Sequence, residues 1–389
     1  PIPVRFPTQS GLASRGWDLQ ERVSLSMKVV IIGGSTAGVA AGLRLSQAGH
    51  EVSIYERRCG GDSGGFGLLL TPSVQQGLRR LGLDVAGVGR DIDQFEIRDE
   101  NDRPIVTRAL QQTVGVKRDS LLELLRSSLD SRVFHDGKNF LGFESAGDGS
   151  ATAALFEDGT RVEADLFIGA DGIRSTVRQE WNRGPQLNPV KSVELVGTFH
   201  GELPEQLSTG ALKFISNDDG LAIGIVPTSD NSAVWYIQCD PRRWPQSFSS
   251  VEERTRWIRQ LAGQFPDPVS SIFAGSELEN ARLCRTTDRD LPENFHRGNV
   301  LLIGDAAHPL LTFTSQGTGS AIEDALAIGG LLDNNVGKGI DPDALSGILG
   351  EFSRVRKPIL NARLYMGRRM QDQFLRDSSE QNQIMPLCS

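Results

Sequence analysis

Apolar positions fall along this chain in two periods, and the change between them divides it. The fully apolar run Val29-Val30-Ile31-Ile32 predicts a buried strand. Residues 37–48 follow with Val39, Leu43 and Leu45 at helical spacing, and Gly49-His50 supplies a stop. Residues 52–55 read as a second strand, ending at Glu56. Strand, tight turn, helix and strand make the right-handed start of a doubly wound sheet. A glycine-rich stretch at 60–67 leads into an apolar run at 68–70 and a helix near 73–81. Residues 95–99 and 105–108 flank Asn101-Asp102 as a hairpin. Residues 118–129, carrying Leu121, Leu122, Leu124, Leu125 and Leu129, predict an amphipathic helix, and 165–169 another buried strand.

From about residue 188 the period shortens to two. Val193, Leu195, Gly197 and Phe199 alternate with polar or small neighbours, and 211–215, 221–226 and 233–239 also read as strands. That pattern predicts an antiparallel sheet with one exposed or ligand-facing side. A short apolar strand at 300–303 follows, then helices at 320–332 and 345–374. The expected fold class is α/β: a Rossmann-like nucleotide-binding domain, interrupted by an antiparallel-sheet domain and closed by a long C-terminal helix. Residues 27–91, 111–185 and 287–335 fall to the first domain, 92–110 and 186–286 to the second, and 336–389 to the C-terminal helix and tail. Residues 1–26 read as an extension before a natural start at Met27-Lys28, either foreign to the native chain or a native arm.

Composition narrows the functional classes. At 389 residues the chain is long enough for two domains. A net charge of −8, with acidic and basic residues mixed throughout, argues against nucleic acid as a partner, because phosphate binding needs a basic surface. No apolar run approaches the ~20 residues that span a bilayer. The five histidines are scattered and Cys59, Cys239, Cys284 and Cys388 lie far apart, so no metal-ligand spacing is present. Sparse, unpaired cysteine suits a reducing, cytoplasmic setting.

Three stretches carry candidate chemistry, each at the end of an apolar strand. Gly33-Gly34-Ser35-Thr36-Ala37-Gly38 fits a dinucleotide turn with serine at its middle glycine. Glycine lets a pyrophosphate approach the backbone, and the helix N-terminus favours its charge. Glu56, followed by Arg57, is placed to accept from ribose hydroxyls. The competing reading is a glycine-rich turn of an unrelated βαβ unit. Asp171-Gly172-Ile173-Arg174-Ser175-Thr176-Val177-Arg178 is the second stretch, with Asp171 either at the ligand crevice or merely a helix cap. Gly304-Asp305-Ala306-Ala307-His308-Pro309 is the third. Asp305 either accepts from a polyol chain or caps; His308 invites acid–base work but reads as structural. Gln316, Gly317 and Thr318 open the following helix, where unpaired N–H groups either face a ligand or only start the helix.

These residues resemble the single-component FAD-dependent aromatic hydroxylases, the para-hydroxybenzoate hydroxylase-like class A monooxygenases. The resemblance spans about residues 28–375. It rests most on the pattern D-G-x-x-S-x-x-R, matched by Asp171, Gly172, Ser175 and Arg178, and on Gly304 and Asp305 with the Ala-Ala-His-Pro that follows. It implies that the first domain binds FAD and the sheet domain the substrate. The first motif would hold the ADP half, Asp305 the ribityl chain, and Arg118 would lie near the cofactor. NADPH or NADH would be co-substrate without a domain of its own. The implied reaction inserts one oxygen atom of O2 into an aromatic or polyketide-like molecule through a C4a-hydroperoxyflavin, with no catalytic dyad required. Where the family commonly has proline, glycine and asparagine, this chain has Thr312, Ser315 and Gly319, so the border of flavin and substrate is its own.

Phe199, Thr312 and Phe313 are the candidate substrate contacts; for Phe199 a core position between sheet and domain is the favoured reading. Tyr236 and His200 could hydrogen-bond substrate or face solvent. Arg354, Arg356, Lys357, Arg363, Arg368 and Arg369 read as a solvated basic face of the last helix. The alternatives are a flavoprotein epoxidase or Baeyer–Villiger-type oxygenase on the same scaffold, and a non-enzymatic binding protein of the related GDP-dissociation-inhibitor fold. A halogenase is disfavoured, since Trp17, Trp181, Trp235, Trp244 and Trp257 form no W-x-W. The protein is expected to be a monomer or homodimer.

Overall fold

A computed structural model describes residues 26–60, 67–216, 220–245, 247–335 and 341–376. The N-terminal extension, all but the ends of the glycine-rich stretch, and Cys388 lie outside these. The chain opens with β1 (Lys28–Ile32), α1 (Thr36–Gln47) and β2 (Glu51–Tyr55). Next come β3 (Gly67–Leu70), α2 (Pro72–Arg80), the hairpin β4 (Arg90–Asp99) and β5 (Pro104–Lys117), and α3 (Arg118–Ser127). A short β6 (Phe134–His135) precedes β7 (Phe140–Ser145), β8 (Ala151–Phe156), β9 (Arg161–Glu163) and β10 (Leu166–Gly169). Four long strands follow: β11 (Ser192–His200), β12 (Gly210–Ser216), β13 (Leu221–Ser229) and β14 (Ser232–Cys239). Helices α4 (Val251–Ala262) and α5 (Val269–Ala274) lead to β15 (Arg282–Thr286), β16 (His296–Arg297) and β17 (Val300–Leu302). Helices α6 (Gly317–Asp333) and α7 (Pro342–Phe374) close the fold.

Two large sheets result. The first has the order β16-β17-β10-β1-β2-β6 and is parallel except at its β16 edge. Its central strands read as unbroken apolar runs because helices cover both faces; Val29, Val30 and Ile31 are wholly buried. Burial of each such side chain contributes about 1.5–3 kcal/mol. The second sheet has the order β15-β11-β14-β13-β12-β4-β5-β3. It is antiparallel, as the alternation predicts, with one exception: β12 pairs β4 in parallel, so the 95–108 hairpin joins the later strands edge to edge. A small sheet, β7-β8-β9, was not anticipated by the apolar pattern.

The alternation in the second sheet has a definite meaning. Val193, Leu195, Phe199, Leu212, Phe214, Ile223, Trp235 and Ile237 share one face and pack in a core with Ile258 and Leu261 of α4 and Ile272 and Phe273 of α5. The neighbours between them, Glu194, Lys213, Tyr236 and Gln238, therefore occupy the other face. Phe199 belongs to the core, with its ring against Gly201 and Gly275, which is the favoured of its two sequence readings and not a place beside Thr312 and Phe313. Helix α7 also departs from expectation. Arg356 is buried on Asp324 and Glu323, Arg363 pairs with Glu323, and Arg368 with Asp288 and Asp290; the basic stripe is thus largely an ion-paired seam.

Candidate cofactor and substrate site

The turn after β1 is built by close backbone approach. Gly33 donates its N–H to the Tyr55 carbonyl at 2.8 Å and has φ of +107°; a Cβ there would lie 2.3 Å from the Ala170 carbonyl oxygen. A Cβ on Gly38 would come within 1.9 Å of the Gly33 oxygen. Only glycine fits either position, so the turn packs directly on the strand that carries the Asp-Gly stretch. Ser35 precedes α1 with no side-chain cap, which leaves the N–H groups of Thr36, Ala37 and the first turn available to an acceptor. The Gly34 N–H donates to Glu56 Oε2 at 2.7 Å and the Arg58 N–H to Oε1 at 3.0 Å, so the Glu56 carboxylate is held against the turn. Arg57 is exposed beside it.

Arg118, at the start of α3, joins this turn to the third stretch. Its Nη2 donates to Ser35 Oγ at 3.0 Å, and its charge acts on Asp305. Arg126, two turns along the same helix, donates to the Gly34 carbonyl at 2.8 Å with its guanidinium 4.5 Å above the Phe134 ring. Asp305 is open to solvent, yet protein crowds it closely enough that burial raises its carboxyl pKa, with Arg118 and His308 opposing. Such a side chain lines a cleft. Gly304, at φ +56°, presses on α1: a Cβ would sit 2.7 Å from the Ala37 Cβ. Gln316, Gly317 and Thr318 are half-buried at the start of α6, which also has no side-chain cap and no acidic residue in its first turn.

The Asp-Gly stretch behaves as a clamp. Arg178 donates to the Ile173 carbonyl at 2.7 Å and to the Ala306 carbonyl at 3.0 Å, tying the second stretch to the third. Asp171 Oδ2 accepts from the Val177 N–H at 3.1 Å, as a helix cap does, while Oδ1 is buried without a partner. Burial raises the Asp171 pKa. Gly172 has φ of +82° and opens onto free space.

Sequence reasoning missed the group beneath the Gly-Asp loop. Asp324, fully buried on α6, accepts the Gly304 N–H at 2.8 Å, His308 Nε2 at 2.5 Å and Arg356 Nε at 2.7 Å. Burial pushes its pKa up, but His308 and Arg356 outweigh that and hold it below the usual aspartate range. His308 is thereby a structural partner of a buried carboxylate. The i, i+1 pair Glu323-Asp324 facing an arginine on the last helix was the available signal, but it needed the α6–α7 packing to be read.

The free face of the second sheet forms the opposite wall. Glu194 Oε1 accepts from Thr312 Oγ1 at 2.5 Å and from Gln238 Nε2 at 2.7 Å. Lys213 Nζ donates to Gln238 Oε1 at 3.2 Å and lies 6.0 Å from the Tyr236 ring centre and 5.9 Å from that of Phe313. A Cβ on Gly224 would be 2.1 Å from the Tyr236 ring, so glycine there lets the phenol lie across the sheet. Burial raises the Glu194 and Tyr236 pKa values and lowers that of Lys213 to about 8. Phe313 packs with Leu311 and Met370, and its ring is 5.5 Å from Phe374, so the end of α7 backs this loop. His200 is exposed at the far end of β11.

These features fit a flavin dinucleotide: two uncapped helix starts, a glycine cradle with no room for a Cβ, an arginine between them, and an aspartate lining a cleft. Among the described residues no group of histidine, cysteine and acidic side chains could hold a metal ion, and no helix is long and apolar enough to cross a membrane. Comparison with known proteins agrees. The chain is 28% identical over 318 residues to an FAD-dependent urate hydroxylase of Mycolicibacterium vanbaalenii, covering 78% of each chain. It is 26% identical over 381 residues to a salicylate hydroxylase of Pseudomonas putida, covering 86% of this chain and 83% of the other. The fold is similar to Klebsiella pneumoniae HpxO complexed with FAD and uric acid (TM-score 0.77, 20% identity, 90% and 88% covered). It is also similar to PqsL of Pseudomonas aeruginosa in complex with 2-aminobenzoylacetate (TM-score 0.78, 20% identity, 90% and 96% covered). The profile of the FAD-binding domain family matches residues 26–358, and the chain belongs to that family as a flavoprotein oxidoreductase of the FAD-dependent monooxygenase class.

Proposed function

We propose that this protein is an NAD(P)H-dependent monooxygenase that transfers one atom of O2 to an aromatic or polyketide-like small molecule. The observation that carries the reading is the convergence on Arg118: it bonds Ser35 and faces Asp305, while Thr312, a few residues further on, bonds Glu194 across the cleft. The similar proteins' activities on urate and salicylate support an electron-rich ring as substrate.

Gly33, Ser35, Thr36, Ala37 and Gly38 would hold the pyrophosphate, and Glu56 with Arg57 the adenosine ribose. Arg118, Asp171, Gly172, Gly304 and Asp305 would hold the central part of FAD, and Gln316, Gly317 and Thr318 the ring. When bound, FAD supplies hydride acceptance from NAD(P)H and activation of O2. The chain's own tasks are electrostatic and steric. The uncapped N–H groups of α6 and the Arg118 guanidinium stabilise negative charge beside the ring. Thr312 and Phe313, with Glu194 and Tyr236 opposite, orient the substrate, and the Phe313–Phe374–Met370 packing keeps water from that side.

The test is turnover of the FAD-loaded protein under 18O2 with NADPH or NADH and a panel of phenols, quinolones and polyketides. One 18O atom in a product, with substrate-stimulated NAD(P)H oxidation, is expected. NAD(P)H oxidation indifferent to the whole panel, with all electrons recovered as hydrogen peroxide, refutes it. An 18O placed in a lactone or an epoxide instead would assign the Baeyer–Villiger or epoxidase reaction.

A further inference from the structure

The free face of the second sheet carries a cation that makes no direct ion pair among the described residues. Lys213 lies on β12 in register with Gly224 and so with Tyr236 two strands away. Among the described residues its ammonium makes a single hydrogen bond, to the neutral amide oxygen of Gln238. No carboxylate lies within ion-pair distance of it among the described residues. Glu194 acts on it only through space: both donors to its carboxylate, Thr312 and Gln238, converge on Oε1, and no ion pair to Lys213 forms. Gln238 thus stands between the two charges, donating to Glu194 and accepting from Lys213. The phenol of Tyr236 and the ring of Phe313 flank the ammonium at nearly equal distance. Two of its three N–H donors have no protein acceptor among the described residues.

A half-buried lysine with no direct ion pair costs stability, and desolvation depresses its pKa more than the Glu194 charge raises it. An evolved core would replace it with an apolar side chain unless the charge has a use. Its neighbours suggest that use: two aromatic faces suited to a flat ring, beside a donor suited to an anionic oxygen.

We propose that Lys213 is the specificity-determining contact of this site, and that it selects aromatic substrates bearing an ionised oxygen, a carboxylate or a phenolate, directed at the sheet. This rests on the monooxygenase reading only for the word substrate; the anion contact itself is a binding claim. The remaining charges around the cleft fit the assignment. Glu194 carries its own two donors, and Arg118 donates to Ser35 on the first turn with its charge acting on Asp305, so neither duplicates Lys213. Gln238 would hold the ammonium at a fixed height above the sheet while the ligand takes the other donors.

The experiment titrates the FAD-loaded protein at pH 7 with four probes, read by perturbation of the visible flavin spectrum. Benzoate and pentafluorophenolate carry the two anionic oxygens; benzamide and phenol are their neutral counterparts. Each is measured with wild type, Lys213→Met and Lys213→Arg, and flavin content reports whether each variant folds. We expect an anion to bind at least about tenfold tighter than its neutral counterpart, Lys213→Met to lose about 10- to 100-fold for anions alone, and Lys213→Arg to restore part of it. A preference for benzoate over pentafluorophenolate, or the reverse, decides which oxyanion the site takes. Equal binding of anion and neutral probe, anion binding unchanged in Lys213→Met, or indifference to all four probes overturns the proposal. Anion selectivity lost in Lys213→Met, without 18O incorporation in turnover, would sustain the anchor and refute the monooxygenase reading instead.

Discussion

Asp324→Ala removes the one acceptor shared by three groups under the Gly-Asp loop. The carboxylate takes the Gly304 N–H, His308 Nε2 and Arg356 Nε, and all sit where water does not reach. Arg356 keeps Glu323 at 2.9 Å, so its charge is not wholly abandoned. Breaking a buried ion pair by deleting one partner costs about 3–5 kcal/mol, because the other charge stays buried. At about 2–4 °C of Tm for each kcal/mol, the variant should melt about 6–20 °C below wild type. Differential scanning fluorimetry of the FAD-free and FAD-loaded protein measures this. Asp324→Asn keeps the shape and one acceptor, so it should fall between. FAD should also be held less tightly in Asp324→Ala, because the Gly304 N–H no longer pins the loop that carries Asp305.

The pH dependence has a definite sign. Burial raises the Asp324 pKa, but His308 and Arg356 outweigh it and bring it below the ordinary aspartate value of 3.8. A carboxylate depressed on folding contributes stability that is complete above its unfolded pKa and is lost as pH falls through the folded one. Wild type and Asp324→Ala should therefore differ fully at neutral pH and converge in acid below about pH 4. A Tm loss smaller than about 2 °C, with FAD affinity unchanged, would refute the role given to Asp324.

Lys213→Met should raise the Tm at neutral pH while weakening anion binding, because it deletes a desolvated cation with no direct ion pair. Its folded pKa, about 8, lies below the ordinary lysine value of 10.5, so wild type gains stability as pH rises between these values and the advantage of the variant should shrink from pH 7 to pH 9.5 in the same melting assay. Asp305→Ala should lower FAD occupancy of the purified protein; an unchanged affinity in a flavin titration would remove its assigned contact. Gly38→Ala forces a Cβ to 1.9 Å from a backbone oxygen that has no side chain to yield, so it should cost about 1–3 kcal/mol or more and release FAD; a stable yellow variant would refute the cradle.

Much of the nucleotide-binding half was legible because its signals are local. An apolar strand followed by a glycine turn and a helix specifies its own backbone, and the steric demand on Gly33 and Gly38 arises within a few residues and the adjoining strand. Period-two alternation likewise announced the strands of the second sheet. It did not say which of the two alternating sets would pack under α4 and α5, so Phe199 carried two readings until the core was seen to close on it.

The chain by itself determined where backbone must bend, which strands are buried, and which three stretches end apolar strands with candidate chemistry. Each of those follows from φ/ψ limits or apolar period inside one short segment. Tertiary structure alone decided the charge pairings. Thr312 meets Glu194 from 118 residues away, and Arg356 reaches Asp324 across 32, so neither partner carries any mark of the other in its own neighbourhood. It also decided that Lys213 lies between two aromatic rings with an amide rather than a carboxylate as its hydrogen-bond partner, because whether a charge is paired depends on which strands and loops close around it. The cofactor class was written locally in the sequence, and the charge pattern on the free face of the second sheet only where distant segments pack.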